Sequence, residues 1–69
     1  MNAPTVVDIR KALARREREW SQDLADARRA WGDADPGTQT RVRKLAGCRR
    51  AIAEGRRMTS AEFTGEAPE

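Results

Sequence analysis

The fold is decided by two stretches of sequence, VVDIRKALARREREWSQDLADARRAW at residues 6–31 and PGTQTRVRKLAGCRRAIAE at residues 36–54. In both stretches apolar side chains recur every three or four positions, which gives a helix one apolar face. The connection between them is short, as is usual between antiparallel neighbours. The sequence therefore predicts an all-α protein, with helices at residues 6–31 and 36–55 and a turn at residues 32–35.

The ends of both helices carry recognisable capping residues. Thr5 is a good N-cap for the first helix, and Gly32 is a natural stop after it. Asp35 followed by Pro36 is typical of an N-cap with proline at the first helical position. Gly55 is the expected stop of the second helix, although the sequence alone leaves open a continuation beyond it.

The two helices match each other position by position when they are folded back as a hairpin. Opposite residues of an antiparallel hairpin have numbers that add up to a nearly constant value. The matched pairs are Leu24 with Val42, Trp20 with Ala46, Leu13 with Ile52 or Ala53, Ile9 with Met58, and Glu17 with Arg49. All are apolar except the last, for which we predict a structural ion pair that sets the register of the helices. The pattern thus predicts an antiparallel two-helix hairpin.

The predicted domain organisation is a helical hairpin at residues 1–57, followed by a short turn and a flexible acidic tail at residues 58–69. One helical turn near Phe63 is expected to return that ring onto Val6 or Ile9, and the last residues, from Gly65 onward, are expected to fray.

The chain has 69 residues, which is too short for a generous core. A lone hairpin of this composition should be marginally stable, so a second copy or a protein partner is expected to complete it. The architecture is similar to two-helix protomers that dimerise into four-helix bundles.

Composition argues against catalysis. The sequence contains no histidine, one cysteine (Cys48, at the edge of the apolar face and expected to be half-buried) and no glycine-rich phosphate loop. We therefore expect no enzyme activity, cofactor, metal or small-molecule substrate. No apolar run approaches the length of a membrane span, and no signal-peptide core is visible, so we expect no membrane contact and a cytoplasmic location.

Two groups of residues are candidates for binding. Trp31, at the turn, has little to cover it, so it is expected to cap the hairpin or to anchor a protein partner together with Arg28 and Pro36. The second group is a row of basic residues on the second helix, Arg43, Arg50 and Arg57 with Lys44. Such a row can follow phosphates, and the isoelectric point near 10.0 agrees with this, but a merely solvated face is the simpler interpretation.

Three functions remain open from the sequence. The first is a small non-enzymatic helical binding module, an accessory or inhibitory protein of bacterial or phage origin that presents a helical face to a larger protein. The second is a nucleic-acid-binding protein that uses the arginine row. The third is a structural subunit of a larger, phage-like assembly.

Overall fold

A computed structural model describes residues 3–66, and all the regular structure within them is helical. Helix α1 spans Val6–Trp31, α2 spans Pro36–Glu54 and α3 spans Ser60–Thr64. α1 and α2 pack against each other as an antiparallel hairpin, and α3 folds back onto α2. The predicted all-α hairpin, with both long helices and a short C-terminal turn of helix, is confirmed.

Capping contacts fix the helix ends. Thr5 and Asp8 form a reciprocal capping box at the start of α1, with each backbone N–H donating to the other side chain at 3.2 Å. The Asp35 carboxylate accepts a 2.8 Å hydrogen bond from the Gly37 N–H at the start of α2. Gly55 adopts the left-handed conformation with φ of 66°, so α2 stops there.

The core is small and lies where α1 meets α2. Its centre consists of Leu13, Cys48 and Ala51, with four partly buried side chains packed around it, namely Ile9, Trp20, Ile52 and Met58. Cys48 is completely buried, so the prediction of a half-buried thiol at the edge was wrong.

The buried face of α2 is rotated relative to the predicted pairing. Ala46 and Ala53 were assigned to the interface with α1, but both are exposed, whereas Cys48 and Ala51 are buried. The rotation follows from α3, which packs on a second side of α2. Because of this, the buried arc of α2 lies between α1 and α3 instead of facing α1 alone.

Helix α3 reaches α1 through one aromatic contact. The Phe63 ring meets Trp20 edge-on, with the ring centroids 5.8 Å apart. This contact replaces the predicted packing of Phe63 on Val6, although Phe63 and Ile9 line the same cavity of about 420 Å³.

Gly47 allows α3 to lie close to α2. A Cβ atom at this position would lie 2.8 Å from the Cβ of Glu62, so only glycine fits without displacing α3.

The structure describes the predicted tail as far as Glu66. Gly65 is buried, and its carbonyl accepts a 2.8 Å hydrogen bond from the Arg43 Nε–H. Residues 67–69 of the predicted flexible tail lie outside the described residues. Within residues 3–66, no helix is both long enough and apolar enough to cross a membrane.

Candidate functional site

Trp31 lies at the turn end of the hairpin and is left open by the fold. It is the last residue of α1, and 55% of its surface is exposed. The Arg41 guanidinium lies over its ring, 5.0 Å from the ring centroid. This distance is within the range of a favourable cation–π contact.

Arg41 is itself held in place by two hydrogen bonds. Its Nε–H donates to the Asp23 carboxylate at 2.9 Å, and one of its terminal nitrogens donates to the Gly37 carbonyl at 2.9 Å. Gly37 also lacks a side chain that would press on the indole, since a Cβ there would lie 3.3 Å from the Trp31 ring. One side of the indole is therefore fixed against the start of α2.

The other two predicted partner-binding residues lie at the same end of the hairpin. The Arg28 guanidinium pairs with the Asp33 carboxylate at 2.8 Å, and both side chains are more than half exposed. Pro36 is exposed at the first position of α2. We name Trp31, Arg41, Arg28 and Pro36 together the turn platform.

Asp23, Gly37 and Arg41 belong to this site but were missed from the sequence. The numbers of Asp23 and Arg41 add up to nearly the same value as those of the apolar pairs. The sum is 64, just below the 65–67 of the predicted pairs, so the pairing rule would have matched Asp23 with Arg43 and missed this ion pair.

The predicted arginine row is not a single helix face, because Arg57 lies beyond the end of α2. The two arginines of the row that do lie on α2 contact α3 and the residue after it. Arg43 donates to the Gly65 carbonyl at 2.8 Å, and Arg50 donates to the Glu62 carboxylate at 2.9 Å. The Lys44 ammonium lies 4.6 Å from the centre of the Trp20 ring. Arg57 is exposed and makes no ion pair with any residue in the described part of the chain.

Glu62 is the centre of these contacts. Besides Arg50, it accepts hydrogen bonds from Arg56 at 2.8 and 3.0 Å and from the backbone N–H of Thr59 at 2.9 Å. The Arg56 guanidinium, then the Thr59 N–H and the Arg50 guanidinium, hold the pKa of the Glu62 carboxyl far below its usual range. Glu62 is therefore ionised at neutral pH, and its charge fastens α3 to α2.

The Glu17 and Arg49 side chains face each other across the hairpin, with 3.8 Å between the Arg49 Nε and a Glu17 carboxylate oxygen. This distance fits an ion pair but not a hydrogen bond. The Arg49 side chain is 60% exposed and that of Glu17 is 35% exposed. The pair therefore lies at the surface and not inside the core.

Within the described residues, the grouping of metal-ligating side chains and the single thiol both bear on reactivity. Among residues 3–66, no group of three or more His, Cys, Asp or Glu side chains is arranged to hold a metal ion. The Cys48 thiol is buried and donates to the Leu13 carbonyl, with 3.4 Å between sulfur and oxygen. Burial raises the pKa of this thiol, and the nearby Glu17 carboxylate raises it further, so the reactive thiolate is disfavoured.

Comparisons with protein-family models, with curated proteins and with solved structures found no match to this chain.

Proposed function

We propose that this protein is a small non-enzymatic binding module that presents the turn platform to a larger protein partner. The observation that carries the proposal is the state of Trp31, which is half exposed and yet held in one orientation by Arg41 and Gly37. Tryptophan and arginine are the residues most enriched at the energetic centres of protein interfaces.

A comparison with Trp20 strengthens this proposal. Trp20 is covered by Phe63, by Lys44 and by the guanidinium of Arg16, which lies 5.5 Å from the centre of the indole ring. The Trp20 ring therefore packs within the protein and is not available to a partner. Trp31 has support on one side only. A ring that is already oriented loses little conformational freedom on binding, which favours affinity.

The chemistry of the turn platform suggests the kind of partner. The free side of the indole fits an apolar pocket on the partner, and Arg28 and Pro36 would lie at the rim of that contact. The exposed Arg28–Asp33 pair can exchange its carboxylate for one on the partner at little cost, since exposed ion pairs contribute about 0–1 kcal/mol.

The test is an affinity capture with matched variants, followed by a binding measurement. The wild-type protein and the Trp31→Ala and Val7→Ala variants are immobilised and exposed to a lysate of the source cells. Captured proteins are identified by mass spectrometry, and the Kd of each is then measured by calorimetry. Val7 is the control because it is also a large apolar side chain, 60% exposed, but lies at the opposite end of α1.

We expect Trp31→Ala to weaken the captured complex by about 2 kcal/mol or more, which is about thirtyfold in Kd, and Val7→Ala to leave it unchanged. A partner that binds both variants as tightly as the wild type would refute the role of the turn platform.

Nucleic-acid binding through Arg43, Arg50 and Arg57 is the alternative proposal. The contacts of α3 count against it, because Arg43 and Arg50 already have intramolecular acceptors. It is tested by fluorescence anisotropy with a random DNA duplex and an RNA hairpin between about 50 and 200 mM salt. Binding that weakens steeply with salt would favour this alternative.

A further inference from the structure

We propose that two copies of this chain associate face to face through the open groove on the side of the hairpin that α3 leaves uncovered. The groove has a volume of about 320 Å³ and runs between α1 and α2. Val42 and Ala46 contribute apolar surface above Leu24 and Leu45, which the hairpin already buries, and Ser21 and Ala46 are small enough for another helix to approach closely. Arg28 and Arg49 also line it, and the Glu17–Arg49 pair adjoins it.

The fold leaves this side of α2 without a neighbour. α3 covers another side of the helix, where Gly47 meets Glu62 and Gly65 meets Thr40 and Lys44. Ala46 and Arg49, on the groove side, are exposed. The buried hydrophobic residues within residues 3–66 are few and two of them are alanine, namely Leu13, Leu24, Ala27, Leu45, Cys48 and Ala51. A second hairpin on the groove would add the burial that a chain of this size lacks.

The occupant is a second copy because the Glu17–Arg49 pair on this face can complement the same pair of another hairpin. Glu17 and Arg49 lie side by side, one on each helix. Two hairpins can stack about a two-fold axis that runs parallel to the helices. In that arrangement α1 of each copy lies over α2 of the other, and each Glu17 faces the Arg49 of the second copy.

The alternative two-fold axis, perpendicular to the helices in the plane of contact, brings like charges together. It places Glu17 over Glu17 and Arg49 over Arg49, which is repulsive. The parallel axis instead gives an alternating square of two carboxylates and two guanidinium groups. Both axes make every pair of neighbouring helices antiparallel, as in an up-and-down four-helix bundle, so the charges alone distinguish the two dimers. The charge pattern therefore selects one of the two dimers.

A stable specific interface typically buries about 800 Å² per protomer. Since Leu24 and Leu45 are already buried within one copy, the proposed contact must extend along the hairpin beyond the groove to reach that size.

The first test uses charge reversal followed by restoration of the opposite charges. The mass in solution is measured by sedimentation equilibrium between about 1 µM and 1 mM protein, a range that covers weak and moderate dimers. We expect the wild type to approach twice 7.7 kDa at the upper end. The Glu17→Arg variant places like charges together and should raise the dissociation constant at least tenfold. Adding Arg49→Glu to Glu17→Arg exchanges the charges, and this double variant should dimerise like the wild type.

The second test blocks the groove without changing the pair. Ala46→Arg inserts a long side chain into the groove at an exposed position, so the hairpin should still fold and the dimer should dissociate. The control is Ala30→Arg, an equal change at an exposed position of α1 outside the groove, which should leave the dimer intact. Far-UV circular dichroism checks that both variants are helical.

Three outcomes would overturn the proposal. One is a wild-type protein that remains monomeric at about 1 mM, a concentration at which even a weak dimer would be partly formed. Another is a dimer that survives Ala46→Arg, which would place the contact on a different face. The third is a dimer lost in Glu17→Arg and not restored by the charge exchange, which would exclude the alternating square. None of these results depends on the partner of Trp31.

Discussion

Trp20 and Trp31 show how two like residues on one helix face acquire different roles. Trp20 was expected to pack on Ala46 and Trp31 to cap the hairpin or anchor a partner, and the spacing of eleven residues returns both to the same face. Only the structure shows that Phe63 and Lys44 cover Trp20, while Trp31 is 55% exposed. The sequence indicated that Trp31 lacked cover, but it did not show the guanidinium that fixes the ring.

The difference in exposure can be measured by fluorescence quenching. The Trp20→Phe variant reports on Trp31 alone, and the Trp31→Phe variant reports on Trp20 alone. We expect acrylamide to quench Trp31 several times more strongly than Trp20, because quenching requires contact with the indole. Equal quenching constants in the two variants would contradict the one-sided support of Trp31.

At Gly47, helix propensity and helix packing should act in opposite directions. Glycine to alanine inside an open helix stabilises it by about 1 kcal/mol. At this position the new Cβ would lie 2.8 Å from the Cβ of Glu62, so Gly47→Ala should displace α3 even as it favours α2. Hydrogen exchange should therefore become faster in α3 and slower in α2. Unchanged protection of the α3 amides would show that the two helices have more room between them.

At the scale of the elements, the ends of the helices are the part that the sequence predicted best. The capping residues bond to backbone groups only a few positions away, so the local sequence is sufficient to identify Thr5, Asp35 and Gly55. The docking of α3 was missed because it depends on the path of the chain after Gly55. That path brings Glu62 between Arg50 and Arg56.

The attachment of α3 should depend on the charge of Glu62. Because the pKa of Glu62 is depressed in the folded protein, its contribution to stability is present above the unfolded pKa, about 4.3. The contribution is lost as the pH falls below that value toward the folded pKa. Hydrogen exchange of the α3 amides at several pH values should show weakening from about pH 5 downward.

Glu62→Gln should release α3 at neutral pH as well, at a cost of about 1–2 kcal/mol in docking free energy. Glu66→Gln is the matched control, since Glu66 is exposed and lies just beyond α3. Equal α3 protection in the two variants would contradict the role assigned to Glu62.

The arginine row requires variants that separate binding from folding. Arg43→Glu removes the donor to the Gly65 carbonyl, and Arg50→Glu places a second carboxylate beside Glu62. Both changes should therefore loosen α3 whether or not nucleic acid binds. Arg57→Glu makes the same charge reversal at an exposed residue that lies after α2 and has no ion pair in the described region. We expect α3 protection to fall in the first two variants and to stay unchanged in Arg57→Glu.

At the scale of the whole molecule, the hairpin was predictable because it depends on one repeated pattern. The pairing rule placed Leu13, Leu24 and Ile9 on the face of α1 that packs on α2, and these residues are buried or partly buried. The rule failed for α2 because it assumed that each helix has a single neighbour. With α3 as a second neighbour, Cys48 and Ala51 turn inward and Ala46 turns outward.

The proposed dimer makes the thermal stability depend on concentration. Association favours the folded form by mass action, so the midpoint of thermal unfolding should rise by a few degrees for each tenfold increase in protein. Glu17→Arg should remove that dependence, and the charge-exchanged double variant should restore it. Circular dichroism melts across the same range of concentrations measure this effect. A wild-type midpoint that does not move would argue against self-association.

Chemical labelling of Cys48 can report how often the two long helices separate. It is the single cysteine in the sequence, its side chain is completely buried, and its thiol is bonded to the Leu13 carbonyl across the two long helices. A thiol reagent can reach the sulfur only when α1 and α2 part. In the limit of fast reclosing, the labelling rate divided by the rate for a free thiol gives the fraction of time that the molecule is breathing open. Labelling of Cys48 therefore measures the open fraction of the seam between the two long helices without inserting a foreign probe.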